Sequence, residues 1–157
     1  MGHQGLKHRA ARAKAPPGQR EAMLAGRERE WLGGGDVMLG VFVADRVAGS
    51  CGLHRRIGPC RLELGYWIHP AFTRRGLATR VAWMLTDAAF ALPGIERVEI
   101  HHDKASEASA GIPAKLGYSF VGERPDGRDA PAEAGIEWLW RMIKHEWRPA
   151  NYLRRAR

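Results

Sequence analysis

Cysteine is scarce in this chain, with only Cys51 and Cys60 among 157 residues. Two thiols cannot build a disulfide framework, and neither sits in a CxxC pair or a Cys/His spacing that would hold zinc. Long apolar runs are missing too. Nothing approaches the ~20 residues of a membrane span, and the basic N-terminal stretch lacks the apolar core of a secretory signal. A cytoplasmic protein without membrane contact is expected. Acidic residues are rare at both ends: residues 1–20 hold five basic groups and no acidic one, and 141–157 hold six basic and one acidic. The net charge of +8 therefore belongs to two tails around a slightly acidic middle. A reader of phosphate backbone carries its basic surface on the folded unit, so nucleic acid is not an expected partner. No Gly-Lys-Ser/Thr ending and no run of further glycines marks a nucleotide loop.

The remainder is sufficient for one domain. A hydrophobic share of 45% can bury a core at this length. Residues 1–19, with Pro16-Pro17-Gly18, read as a flexible basic segment, 20–147 as the folded domain, and 148–157 as a basic tail. Within the domain the spacing predicts a short helix over 20–31 closed by Gly33-Gly34-Gly35. Strands over 37–44 and 47–54 follow, joined through Asp45-Arg46 as a hairpin, with a third over 62–69. A long helix is predicted to residue 92, where Leu77, Val81, Met84, Leu85, Ala88 and Leu92 recur at helical spacing as the buried face. A strand over 97–102, a short helix over 107–116 and strands over 118–123 and 136–144 complete the chain, with a polar loop at 126–135. Antiparallel strands followed by a strand-helix-strand-helix-strand run give an α/β (α+β) fold, a mixed sheet flanked by helices.

The most informative stretch runs from Trp67 to Thr79. An apolar strand breaks at Pro70 into a basic turn of small residues, Thr73-Arg74-Arg75-Gly76-Leu77-Ala78-Thr79, that opens the long helix. The first amides of a helix have no intrahelical partner and lie at the positive end of its dipole, so they stabilise an anion. Arg74 and Arg75 add formal charge, while Gly76 and Ala78 let a ligand approach the main chain. Such a turn suits a phosphate. Elsewhere, His101, His102 and Asp103 are metal-capable, but neighbours on a strand point to opposite faces, so no metal site is expected. Six scattered tryptophans fit packing better than base stacking.

These pieces together resemble the GNAT superfamily of acyl-coenzyme A-dependent N-acetyltransferases, over about residues 20–147. The likeness rests on the hairpin ending Gly49-Ser50-Cys51-Gly52-Leu53, the strand Glu63-Leu64-Gly65-Tyr66-Trp67-Ile68-His69-Pro70, the Arg75-Gly76-Leu77-Ala78 turn, and Val98-Glu99-Ile100 leading to Ala114-Lys115-Leu116-Gly117-Tyr118. The branch it is most similar to is the ribosomal-protein N-terminal acetyltransferase-like group. The resemblance implies a mostly antiparallel sheet splayed at a central pair of strands. It also implies acetyl-coenzyme A as acyl donor, its pyrophosphate on the turn from Thr73 to Thr79 and its pantetheine arm between the strands at 62–69 and 97–102. Edge groups of Trp67, Ile68 and His69 would bind that arm, and an amide near Ile68 would face the thioester oxygen.

The acceptor implied is a primary amine, either a protein N-terminus or a small molecule. It must lose a proton before attack, and Glu63 is the first candidate base, since a carboxylate on a half-buried strand can have a raised pKa; a cross-strand charge pair is its alternative role. His69 is the second, with stabilisation of the turn before Pro70 as its alternative. Pro113 stands where many family members carry a tyrosine, so that general acid is unavailable. Ser106 and Ser109 could bond the pantetheine amide or serve as cap and helix-surface residues. The family's first strand and helix have no counterpart pattern ahead of residue 20, which leaves open a homodimer whose partner subunit completes the acceptor wall. It also leaves open a non-catalytic acyl-coenzyme A-binding regulatory module.

Overall fold

A computed structural model describes residues 17–126 and 134–149. Residues 1–16 of the expected flexible segment, the centre of the polar loop at 126–135 and most of the C-terminal tail lie outside the described residues. Helix α1, Pro17–Leu32, begins three residues before its expected start, with Pro17 at the first helical position, where a missing N–H costs nothing. The amides of Gly33 and Gly35 close it by bonding the carbonyls of Arg29 and Glu30 at 2.9 and 2.7 Å.

Strands β1, Val37–Val43, and β2, Arg46–His54, form the expected hairpin. Its turn residues are Ala44 and Asp45 rather than Asp45 and Arg46, and both take left-handed φ, 47° and 62°. Two such residues give the twist that a tight antiparallel pair needs. Strand β3, Arg61–Ile68, leads through a 3-10 turn at Pro70–Phe72 into α2, Leu77–Ala91. Strand β4, Arg97–Asp103, helix α3, Glu107–Leu116, and strands β5, Ser119–Pro125, and β6, Ile136–Ile143, follow. The order across the six-stranded sheet is β1-β2-β3-β4-β6-β5. Among the described strands only β3 and β4 run parallel. Among the described residues no helix is long and apolar enough to cross a membrane.

Strand alternation sorts the sheet into two unlike faces. Leu62, Leu64, Val98, Ile100 and Met142 point into the core beneath α2 and α3, together with Ala82, Leu85, Ala89 and Phe90 of α2. The buried stripe of α2 is rotated from the expected one: Met84, Ala88 and Leu92 are exposed and Thr86 is fully buried. Thr86 tolerates this because its hydroxyl has two partners, the Ala82 carbonyl at 2.7 Å and the Tyr118 hydroxyl at 2.6 Å, which removes the penalty of an unpaired polar group. The other face of β3, β4 and β6 carries Glu63, Glu99, His101, Glu137 and Arg141, and it is here that a charged cleft forms.

The central pair separates part-way along. Pairing of β3 with β4 runs from Arg61↔Arg97 to Leu64↔Ile100 and stops, while β3 stays on β2 through Ile68 and β4 stays on β6 through Asp103. The sheet is therefore forked, and its open end faces the start of α2.

Candidate active site

Backbone direction along the fork decides which groups can bind a ligand. The His69 amide donates to the Ala48 carbonyl at 2.7 Å. Because antiparallel partners exchange bonds at every second residue, the main-chain groups of His69 and Trp67 turn toward β2. Those of Tyr66 and Ile68 turn into the fork. Of the three edge positions expected from sequence, Ile68 alone offers its amide there, and Tyr66 joins it. On the other lip the Lys104 amide bonds the Ile136 carbonyl of β6 at 2.8 Å, so by the same alternation the main chain of His101 and Asp103 faces the fork. Trp67 stands on the sheet face away from α2, half-exposed, with its ring edge-on to His69 at 6.1 Å.

At the open end the chain makes a closed 3-10 turn and then an open helix start. His69 Nδ1 accepts from the Ala71 amide at 3.1 Å, and the Thr73 hydroxyl donates to the Pro70 carbonyl at 2.8 Å. His69 thus serves the turn. It also lies six residues from Glu63, about 20 Å along an extended strand, so the two candidate bases do not share a site. Beyond Thr73, Arg74 and Gly76 both take left-handed φ, 61° and 72°. Such a conformation is costly for a non-glycine residue and turns successive amides inward as an anion-binding concavity. No side chain caps α2; its first main-chain bond runs from the Arg80 amide to the Gly76 carbonyl at 2.9 Å, ahead of which stand the amides of Leu77, Ala78 and Thr79. A Cβ at Gly76 would meet nothing within 4 Å, so the space over the turn is open. The Arg75 guanidinium lies over the buried Phe72 ring at 5.6 Å from its centroid, which holds that charge beside the turn.

Helix α3 borders the fork from the core side. Pro113 lies inside it and has no N–H, so the Ser109 carbonyl, four residues earlier, loses its helical partner. The Tyr66 hydroxyl takes that carbonyl at 3.5 Å, tying β3 to α3 across the fork. Burial pushes the Tyr66 phenol well above its ordinary range, so it remains a donor at any working pH. Ser106 occupies the N-cap position without capping; its hydroxyl donates to that of Ser109 at 2.8 Å, both half-buried. Asp103, at the end of β4, accepts the amides of Ala105 and Ala134 at 2.8 and 3.0 Å through Oδ1. That carboxylate joins the start of β6 to the end of β4.

The cleft on the opposite face has a volume of about 720 Å³ and is lined by Arg56, Glu63, Glu99, His101, Arg124, Glu137 and Arg141, among others. Glu63 is 7% exposed. Arg56, from the loop after β2, grips both of its oxygens, Nε to Oε2 at 2.8 Å and Nη2 to Oε1 in a close contact. The raised pKa expected for Glu63 is therefore overturned: burial pushes the carboxyl up, but the bonds and charge of Arg56, with a contribution from His101, outweigh it and leave the pKa below the ordinary value. Glu99 is depressed in the same way, with burial opposed by bonds from His101 and Arg141. Sequence reasoning missed Glu99, Glu137, Arg56 and the role of His101 here. Even spacing along β3 and β4 hinted at a shared face, but only the register Glu63↔Glu99 brings the groups together.

A pH dependence of stability follows. Both carboxyls titrate lower in the folded chain than in the unfolded one, so their contribution is complete above the ordinary carboxylate range of about 4.3 and is lost as pH falls through the folded values. The urea midpoint should be flat from pH 7 to 5 and fall steeply below about 4.5. Arg56→Gln should lower stability at pH 7 by about 1–2 kcal/mol, less than for a fully buried pair because the guanidinium is more than half exposed. An unchanged midpoint would show that the pair is not formed.

A sequence profile for the acetyltransferase (GNAT) domain matches residues 6–119. The protein YdaF of Bacillus subtilis (strain 168), whose name makes it a candidate ribosomal N-acetyltransferase, is 25% identical over 129 residues, 82% of this chain and 70% of that one. Among solved structures, RimJ of Mycobacterium smegmatis in complex with CoA-disulfide superposes with a TM-score of 0.75 at 18% identity, covering 87% of this chain and 67% of that one. RimL, a ribosomal L7/L12 alpha-N-protein acetyltransferase in complex with coenzyme A, gives 0.71 at 16% identity over 82% and 73%. These two likenesses establish the fold, with its forked, mostly antiparallel sheet flanked by helices. Together with the domain match over most of its length, they leave one assignment: the chain belongs to the GNAT acetyltransferase family.

Proposed function

We propose that this acetyltransferase takes acetyl from acetyl-coenzyme A and transfers it to a primary amine by direct attack, the amine of a protein N-terminus being the favoured acceptor. The observation that carries the reading is the fork between β3 and β4, which opens onto a helix start lacking a side-chain cap. The residues present suit the donor. Thr73, Arg74, Arg75, Gly76, Leu77, Ala78 and Thr79 would hold the pyrophosphate on inward-turned amides and two guanidinium charges. The edge groups of Ile68 and Tyr66 would bond the arm in the fork, the Ile68 amide serving the oxyanion. Ser106 and Ser109 line the same passage from α3, and Trp67 and His69 support its outer wall.

Bound acetyl-coenzyme A supplies a thioester whose acyl carbon accepts the amine lone pair as the C–S bond breaks, giving an amide and a free thiol. No tyrosine stands at Pro113, and a thiol leaves tolerably without an acid near neutral pH. Glu63, held charged by Arg56, attracts the positive acceptor from the far face of the sheet. A protein acceptor accords with the names of YdaF and RimL. Action in the cytoplasm belongs to the same proposal, since acetyl-coenzyme A is an intracellular donor.

Calorimetry with acetyl-coenzyme A, followed by thiol release and mass detection on peptides with free Ala, Ser or Met N-termini and on small amines, tests the reading. Micromolar binding with an acetylated peptide is the expected result. Tight binding with no product from any amine would favour a regulatory module, and absence of binding would end both. Light scattering on the same samples reads whether a homodimer forms.

A further inference from the structure

We propose that the charged cleft selects acceptors whose second or third residue is acidic, the side-chain carboxylate being taken by the guanidiniums of Arg61 and Arg141. This rests on the transfer reading above and names the class of its substrate. Charge is unevenly spread along the cleft. At the end where β3 and β4 are still paired, four guanidiniums, those of Arg56, Arg61, Arg97 and Arg141, stand against two carboxylates, Glu63 and Glu99. Toward the fork one guanidinium, Arg124, stands against Glu137 and Asp126. An ammonium is therefore favoured at the fork, where the thioester arrives, and an anion is favoured farther down.

The donors at the paired end exceed what the protein itself uses. Arg56 meets both oxygens of Glu63. Glu99 gives Oε1 to Arg141 Nε at 3.0 Å and Oε2 to His101, so each oxygen of both carboxylates is already taken. Arg141 spends only its Nε there, which leaves its two terminal nitrogens. The exposed Arg61 guanidinium, which lines the cleft, makes no hydrogen bond or ion pair with any described residue. Arg97 has its Nε buried without a hydrogen-bond partner, Glu99 Oε1 being 3.4 Å away. Arg61 and Arg97 are directly opposite in the parallel pair, and like charges so placed repel. Burial, and then the charges of Arg141 and Arg61, push the Arg97 guanidinium below its ordinary range. A carboxylate from outside relieves that crowding and accepts from planar guanidiniums in the geometry they favour.

Length decides which residue of the acceptor supplies it. From the last β3–β4 pair, Leu64↔Ile100, back to Arg61↔Arg97 is roughly 10 Å along the strands. A peptide lying extended in the cleft with its amine at the fork advances about 3.3 Å per residue, so the side chain of its second or third residue reaches the guanidiniums. A lysine at those places would meet the positive end, and a small amine without an anion would leave it unfilled. Arg61 and Arg141 take no part in the chemical step; they discriminate among acceptors.

Short peptides with amidated C-termini, Ala-Glu-Glu-Ala-Ala-Ala and its Gln-Gln and Lys-Lys counterparts, decide the matter. With acetyl-coenzyme A, kcat/KM for the Glu-Glu peptide should exceed that for Gln-Gln by about tenfold or more, with Lys-Lys lowest, and the preference should shrink as salt rises. Arg61→Gln should cut the preference for Glu-Glu over Gln-Gln to under about threefold, and Arg61→Glu should turn it toward Lys-Lys. The side chain is exposed, so both variants should melt at or above the wild-type temperature. Calorimetry on protein saturated with coenzyme A, which has no acetyl group to transfer, reads the same preference as affinity. Equal rates for all the peptides, or a preference for Glu-Glu that survives in Arg61→Gln, would overturn the proposal and leave the transfer reading intact. If no peptide is acetylated while the Glu-Glu peptide still binds through Arg61, the transfer reading fails and the acid-binding cleft stands; no binding and no product from any of them would end both.

Discussion

Replacing Arg75 by glutamate is expected to weaken acetyl-coenzyme A binding by about 100-fold, ~2.7 kcal/mol. A charge-assisted bond to a phosphate contributes roughly 1.5–3 kcal/mol, and the change both removes it and sets a negative charge beside two others. The effect should be large because Arg75 is not a freely moving arginine: its guanidinium rests over Phe72, which is itself buried, so little entropy is spent in presenting it. Calorimetry at low and moderate salt measures the loss, and the wild-type affinity should fall more steeply with salt than that of the variant. A loss under threefold would remove the pyrophosphate from this turn.

Gly49→Ala is expected to destabilise the fold by about 3 kcal/mol or more, a drop of roughly 6–12 °C in melting temperature for a chain of this size. A Cβ at Gly49 would stand 2.0 Å from the Trp67 carbonyl oxygen and 3.0 Å from Ile68 Cα. Both are backbone, so no rotamer relieves the clash and β3 itself must move. That strand is one lip of the fork, and acetyl-coenzyme A affinity should fall along with stability. Thermal unfolding with and without the ligand reads both quantities; an unchanged melting temperature would contradict the pairing Gly49↔Ile68.

The sequence made the order of elements legible, along with the turn from Thr73 to Thr79, because those rest on local signals: helical spacing, proline breaks and small residues in a basic context. The buried stripe of α2 was less legible. Two overlapping apolar phases run along that helix, and the one that wins buries Thr86, a choice made by the distant Tyr118 hydroxyl. The edge groups of the fork followed from the parity of β2–β3 pairing, which residue types do not encode. Pro113 could be read only as a missing tyrosine, whereas the structure gives it a positive consequence, a carbonyl at Ser109 that Tyr66 takes. The charged cleft was the least legible part. Glu63, Glu99, His101 and Glu137 come from three strands, and nothing local says that they converge or that Arg56 would depress the carboxylate expected to be the base.

The clamp that Asp103 makes on the amides of Ala105 and Ala134 anchors the beginning of β6 to the end of β4 instead of leaving it to the chain that leads in. Changes of sequence or length between 126 and 134 should therefore leave the pairing of β4 with β6 in register, which makes this connection a point where the fold tolerates variation.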